Sequence, residues 1–371
     1  MAFTDAEGSY SLVVSIPRNA EGQPQAEAVT LRVDADDYQT FPKPPREALP
    51  IDLGGAVEQD GAWVVANATT DVGLVELDTT GNGRIEGVVQ HAEPGGVLVV
   101  AEQGGAAVST SISGSDGSFT LFNVPPGATT VTGYRAGLYA APVSVDQVAE
   151  GVTGVILAGT SDGLAAVSGS VNIVDAPGGS STSVILVVAS TFEEATARGE
   201  APSGLRAAPV SNAFTIESVP PGRYAVLAAF ENDGLVRDPD EGIAGTAIVF
   251  IDVAGSAVTI MEDFKVTAAL AVISPGAEGL EEVGEVPELV WAQDASEDGY
   301  HLRVYDAFGT VVHEDLTIGP GAGGEPMRYD LAAAGVSLEP GMIYQFRAWS
   351  HGRGSRISAT EDLRGVFLFS P

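Results

Sequence analysis

The residues able to do chemistry are few and dispersed. The four histidines, His91, His301, His313 and His351, show neither His-x-His nor His-Glu-x-x-His spacing, so no zinc-binding pair can be read from them. There is no cysteine, which removes disulfides, thiolate nucleophiles and cysteine-ligated metals. Serines are plentiful, yet no Gly-x-Ser-x-Gly elbow precedes a helix and no histidine partner is implied. The Gly319–Gly324 stretch lacks the helix and lysine of a phosphate-binding loop and reads as a hairpin loop. With no assembly of nucleophile, base and orienting group, the expectation is a protein that is not an enzyme.

Two motifs remain as candidate ligand sites. Asp78-Thr79-Thr80-Gly81-Asn82-Gly83-Arg84-Ile85-Glu86 repeats the first half of an EF-hand loop, with Asp78, Thr80 and Asn82 as oxygen ligands, glycine at the sixth position and isoleucine at the eighth. The twelfth position is Val89 rather than a bidentate glutamate, so an Asx/Gly turn between modules competes with calcium. Asp233-Gly234 with Asp238-Pro239-Asp240-Glu241 is a second acidic group that could hold a hard cation or form a solvated loop. Of the tryptophans, Trp291 and Trp349 fall in strands and are expected to face the core, whereas Trp63 is the candidate for stacking on carbohydrate.

Composition narrows the partners. Seventeen basic residues against 50 acidic give a formal charge of −33, which repels phosphate backbones and anionic lipid head groups and excludes nucleic acid. No apolar run approaches the roughly 20 residues of a membrane helix, so no direct membrane insertion is expected. Residues 1 to 10 lack the basic and apolar regions of a signal peptide, leaving a mature chain, a fragment or a cytosolic protein as readings. The 44% hydrophobic content suffices for real cores, and 46 glycines and 22 prolines favour short strands and many turns.

What must position any site is a set of repeated β modules. Ser118-Phe119-Thr120-Leu121-Phe122-Asn123-Val124-Pro125-Pro126-Gly127 recurs as Ala213-Phe214-Thr215-Ile216-Glu217-Ser218-Val219-Pro220-Pro221-Gly222, and a degraded copy runs from Gly8 to Pro17. In each full copy an alternating strand ends at Val-Pro-Pro-Gly, where the prolines remove amide donors and the glycine is expected to make the reversal. Phe119, Leu121, Phe214 and Ile216 share the core face, and Thr120 and Thr215 look outward. Strand-like runs are expected at Tyr10–Ile16, Val29–Ala35, Leu49–Leu53, Ala62–Ala66 and Val72–Leu77, and Phe192–Arg198 reads as a short helix or a loop insertion. Near the C-terminus Tyr300, Leu302 and Val304 alternate with His301, Arg303 and Tyr305, one face buried and the other solvated.

The Gly-x-Val opening strand, Asp116-Gly117-Ser118-Phe119-Thr120-Leu121 and Val-Pro-Pro-Gly together resemble carboxypeptidase regulatory-like domains, which have the transthyretin- or prealbumin-like sandwich and are related in shape to Cna-B repeats. The resemblance covers residues 84–160 best, then 164–266, and part of 1–66. Pro287-x-Leu289-x-Trp291, the Tyr300–Tyr305 strand and Leu338-Glu339-Pro340-Gly341 with Tyr344 resemble a fibronectin type III domain. The resemblance implies accessory modules of exported or cell-surface proteins and transfers no catalytic residues. The isopeptide bond of Cna-B domains has no evident lysine here, since Lys43 and Lys265 are the only two.

The expected architecture is therefore all-β: tandem immunoglobulin-like or prealbumin-like sandwiches in an elongated array. Residues 1–83, 84–163 and 164–270 form carboxypeptidase regulatory-like modules, the third with an insertion near 190–210, and 271–371 forms the fibronectin-like module. Gly159–Gly163 and Ser274–Gly279 are the expected linkers. Residues 1–83 lack an opening strand, which leaves an edge that an upstream region, Val72–Leu77 or another chain would have to close. The expected function is that of an extracellular or cell-surface structural or adhesion protein, a spacer that binds a protein partner or itself through a strand edge. A carbohydrate-binding accessory role is the alternative.

Overall fold

The computed structural model describes residues 2–78, 81–174, 180–229, 233–236, 248–261, 264–295 and 297–371. Among the described residues all the regular structure is β apart from short 3-10 turns. Residues 2–78 carry only paired fragments. β1 (Ala28–Val29) pairs with β2 (Ile51–Asp52), and β3 (Val57–Gln59) forms a hairpin with β4 (Ala62–Val64). Asp60 and Gly61 connect that hairpin with φ of 51° and 82°, the doubly left-handed geometry that suits a two-residue β-turn.

Tyr10–Ile16, expected as a strand, joins no sheet among the described residues, and Val13 is 90% exposed. Val72–Leu77 does not close a sheet either; it meets the chain at residues 37–39, through the Tyr38–Glu76 bridge and the Gln39 N–H donating to the Val75 carbonyl at 2.8 Å. Pro17, Pro24, Pro42, Pro44, Pro45 and Pro50 remove amide donors throughout this segment and keep its strands short.

The next seven strands form one sheet that folds over itself: β5 (Gly83–Gln90), β6 (Leu98–Gln103), β7 (Ala106–Ile112), β8 (Ser118–Val124), β9 (Gly127–Arg135), β10 (Leu138–Gln147) and β11 (Val152–Thr160). Their order is β7-β6-β9-β10-β11-β5-β8, antiparallel except for β5 with β11. β10 and β11 pair only at Tyr139–Thr160 and Ala140–Gly159, and both layers share one core containing Ile85, Val99, Phe119, Leu121 and Leu157.

A second sandwich sets β15 (Ala213–Val219), β12 (Ala165–Val174), β18 (Val258–Thr259) and β19 (Phe264–Thr267) against β14 (Arg206–Val210), β13 (Thr182–Val188), β16 (Gly222–Ala228) and β17 (Val249–Val253). The stretch 192–198 is a loop with a 3-10 turn at Glu194–Thr196, and the chain then enters β14, so residues 206–210 of the expected insertion extend the sheet.

A third sandwich has layers β20-β22-β25 and β21-β28-β26-β23-β24. Its strands are β20 (Val272–Ser274), β21 (Glu281–Val283), β22 (Glu288–Trp291), β23 (Gly299–Asp306), β24 (Val311–Ile318), β25 (Met327–Asp330), β26 (Ile343–Gly352), β27 (Ser355–Ala359) and β28 (Val366–Phe369), with β27 paired to β26. Trp291 and Tyr300 are fully buried in its core, and the Glu339 N–H donates to the Tyr344 hydroxyl at 2.7 Å, tying the loop before β26 to that strand. Ser274–Gly279 joins β20 to β21 inside these sheets instead of serving as a linker.

Alternation explains how the sandwiches join. β6 is buried on both faces: Val99 and Ala101 enter their own core, while Leu98 and Val100 join the core that contains Tyr224, Val184 and Leu186 of the second sandwich. Tyr134 packs edge-on against Tyr224, with centroids 6.2 Å apart. The chain exposes 17707 Å² of surface, well above the roughly 13,900 Å² expected of a compact monomer of this mass. The sandwiches thus adjoin without merging into one globule.

Candidate functional site

The repeated phrase is the first place where the fold brings separate regions together. Phe119, Leu121, Phe214 and Ile216 are buried, while Thr120 is half-buried and Thr215 exposed, as the alternation requires. Gly127 takes φ of 138° where β9 begins, a conformation that favours glycine, whereas Gly222 takes no positive φ; a second special conformation lies inside each preceding strand. Asn123 and Ser218, at matching positions, take φ of 56° and 58°. Asparagine tolerates that conformation, and here its side chain is also used. Asn123 Nδ2 donates to the Ala35 and Tyr38 carbonyls at 2.8 Å each, and its Oδ1 accepts from the Asp37 N–H at 2.8 Å. In the second copy the Ser218 carbonyl accepts from Gly137 N–H at 2.8 Å. Gly222 is needed for close approach, because a Cβ there would lie 3.0 Å from Tyr134 Cε1. Each phrase thus receives a turn of the preceding region, 35–38 in one case and 136–137 in the other.

A concave site lies where three regions meet. A cleft of about 470 Å³ separates Pro44–Glu47 and residues 195–198 from the outer face of β23, β26 and β27. On β26, Tyr344, Phe346 and Ala348 enter the core, so Gln345, Arg347 and Trp349 point the other way. On β23 the same parity turns His301, Arg303 and Tyr305 outward, and register sets Arg303 beside Arg347 and His301 beside Trp349. Trp349 is buried, 9% exposed, as expected of a packed side chain, but on the outer face of β26 and not in the sandwich core. Its ring is covered by the Arg356, Arg347 and Arg303 guanidiniums at 5.2, 5.8 and 6.0 Å, a cation–π ladder across three strands.

Ion pairs fasten the floor. Asp362 pairs with Arg347 at 2.8 Å and with Arg198 at 3.0 Å, and Arg198 also pairs with Glu47. Arg303 pairs with Glu314. The Arg347 Nε is buried without a hydrogen-bond partner among the described residues. Burial raises the Glu361 carboxyl pKa, although its Oε1 accepts the Gly234 N–H at 2.8 Å. Burial first, then His351, Arg356 and Arg303, depresses the His301 pKa, and the His301 and His351 rings lie 4.6 Å apart.

The sites expected from sequence lie elsewhere. Asp78 is exposed, Asn82 is half-buried and hydrogen-bonded or otherwise engaged, and Thr80 lies outside the described residues, as do Asp238, Pro239, Asp240 and Glu241. Among the described residues no group of three or more His, Asp or Glu side chains is placed to hold a metal ion. Trp63 is half-buried on β4, opposite Glu58, away from the cleft. His313 Nε2 and the Tyr329 hydroxyl are 2.8 Å apart, and that hydroxyl donates to Asp315 at 3.2 Å, which clasps β24 of one layer to β25 of the other. The arginines of the cleft were missed in the sequence, although Arg347 and Trp349 share one face by their spacing of two.

No family model matches the chain, and no curated protein matches it. Among solved structures, the Bacillus anthracis TIE protein is 11% identical and covers 78% of this chain at a TM-score of 0.19; the chain spans about half of that protein, 49%. A streptococcal ancillary pilin is 12% identical over 74% of this chain and 94% of its own, at a TM-score of 0.18. A putative carbohydrate binding protein from Bacteroides uniformis is 14% identical over 53% of this chain and 97% of its own, at a TM-score of 0.20. TM-scores this low carry no argument about function, and the architecture rests on the strand pairing described above.

Proposed function

We propose that this chain is a non-catalytic structural and interaction protein of the cell surface or extracellular space, a stiff spacer built from carboxypeptidase regulatory-like and fibronectin type III-like sandwiches. The observation that carries this reading is the fastening of every junction. Asn123 binds the 35–38 turn, Leu98 and Val100 enter the neighbouring core, and the Gly234 N–H donates to Glu361 Oε1 at 2.8 Å. Junctions that bury apolar side chains and satisfy backbone groups resist bending, which is what a spacer requires. Small-angle scattering tests it: one rigid conformation should fit the wild-type curve, and a need for a broad ensemble would refute the spacer.

Partner binding through a strand edge belongs to the same reading. Residues 10–16 join no sheet among the described residues, with Leu12, Val13 and Val14 exposed, and they carry no charge in a chain of net −33. Such a segment suits strand addition to another chain. Light scattering of the intact chain and of a Val13→Asp variant reports on self-association.

Glycan binding is the second reading, favoured by the cleft beside Trp349. It joins aromatic rings to planar side chains that donate and accept hydrogen bonds, the composition that recognises polyhydroxyl ligands.

A further inference from the structure

We propose that Asn67 is a modification site, the acceptor of an N-linked glycan. The proposal rests on the cell-surface or extracellular reading, since an exported chain is what meets a transferase carrying a lipid-diphosphate-linked oligosaccharide.

The sequence supplies the acceptor once. Attachment to asparagine requires a serine or threonine two residues on with no proline between, and Asn67-Ala68-Thr69 is the one place where the chain has that spacing. Asn172 and Asn212 are exposed as well, but Val174 and Phe214 stand at their second positions.

The structure presents the acceptor at the surface. Asn67 is exposed and caps the 3-10 turn Ala68–Thr70. Its Oδ1 accepts the Thr69 N–H at 2.9 Å and the Thr69 hydroxyl at 2.6 Å, so the amide is held by its oxygen side and Nδ2 faces away from the turn. That nitrogen has no hydrogen-bond partner among the described residues. The hydroxyl that the acceptor spacing demands is thus already in contact with the acceptor amide. Residues 65–66 and 71–75 on either side belong to no strand, so the turn can extend into an enzyme's groove and bring out the half-buried Thr69 without breaking a sheet.

The position also has a use for a hydrophilic cover. The Tyr10 hydroxyl donates to the Thr70 carbonyl at 2.7 Å, which ties the start of the uncharged run 10–16, with Leu12, Val13 and Val14 exposed, to this turn. A bulky glycan on Asn67 would flank that run and limit strand addition there. The transfer balances as a substitution. Asn67 Nδ2 bonds to C1 of the first sugar, the C1–O bond to the diphosphate breaks with its electron pair leaving on the diphosphate, and one Nδ2 proton passes to a base of the transferase; nothing is oxidised or reduced.

Intact-mass spectrometry and peptide mapping of the chain collected from outside the cells that make it test the site. The peptide containing Asn67 should carry an oligosaccharide, and those containing Asn172 and Asn212 should not. Asn67→Asp keeps the capping oxygen and loses the amide nitrogen, so it should abolish the added mass at unchanged circular dichroism. Thr69→Ala should abolish it too, whereas Thr69→Ser keeps the hydroxyl and should retain it. An unmodified Asn67 in chain recovered outside the cell, an added mass that survives Asn67→Asp, or a Thr69→Ala variant modified as wild type overturns the assignment and leaves the surface reading standing. Recovery of the chain from the cytoplasm alone removes the surface reading and the modification with it.

Discussion

Asn123 should be the most informative single position, because two different contributions to stability meet there and can be separated. Its side chain makes three hydrogen bonds of 2.8 Å to the backbone of residues 35–38, and its own backbone sits at φ 56°. Each hydrogen bond contributes about 0.5–1.5 kcal/mol, so half-burial suggests a total near 2–3 kcal/mol. Asn123→Gly removes the side chain and keeps the left-handed backbone without strain. Asn123→Ala removes the same bonds and adds about 1 kcal/mol of backbone strain. Urea unfolding should therefore rank wild type above the glycine variant, and the glycine variant above alanine. The hydrogen-bond part can be read locally by amide exchange at Asp37, whose N–H donates to Asn123 Oδ1. A loss of about 2 kcal/mol corresponds to roughly thirtyfold faster exchange at that amide if it exchanges through local opening. Unchanged Asp37 exchange in Asn123→Gly, or glycine and alanine variants of equal stability, would refute the reasoning.

Ser218 has the same backbone conformation with no side-chain hydrogen bond among the described residues, so Ser218→Gly should be neutral or stabilising by up to about 1 kcal/mol in the same assay. Gly276, at φ 78°, would drive a Cβ into the Val366 backbone, and Gly276→Ala should cost about 2–4 kcal/mol in thermal unfolding. Leu98→Asp should lower stability and broaden the scattering-derived shape, since Leu98 is fully buried between two sandwiches and a carboxylate there has no partner. Burial raises the Glu361 pKa above its ordinary 4.5, so the folded state binds the proton more tightly and stability through this group falls as pH rises above that value. Glu361→Gln should flatten that fall in melting temperature measured against pH, and an unchanged slope would count against it.

Much of the fold was legible in the sequence because strand alternation is a local property. Phe119 with Leu121 and Phe214 with Ile216 marked two cores, and Tyr300, Leu302 and Val304 marked a third. The same alternation contained the orientation of Trp349: Phe346 and Ala348 are inward, so the next residue is outward. Treating a tryptophan in a strand as a core residue overrode that parity. The segment before residue 78 was read as longer strands than form, because apolar runs there lack neighbours able to pair with them and prolines interrupt the amide ladder.

The sequence alone determined an all-β chain of repeated sandwiches, the core face of the principal strands, and a net charge of −33. Only the tertiary structure decided that Asn123 fastens the 35–38 turn and that Glu47, Arg198, Arg347 and Asp362 form one ion-pair chain beside Trp349. The physical reason is range. A strand's period of two fixes where each side chain points, but what covers that face is set by strand pairing and packing between residues up to hundreds of positions apart, and no local pattern encodes it.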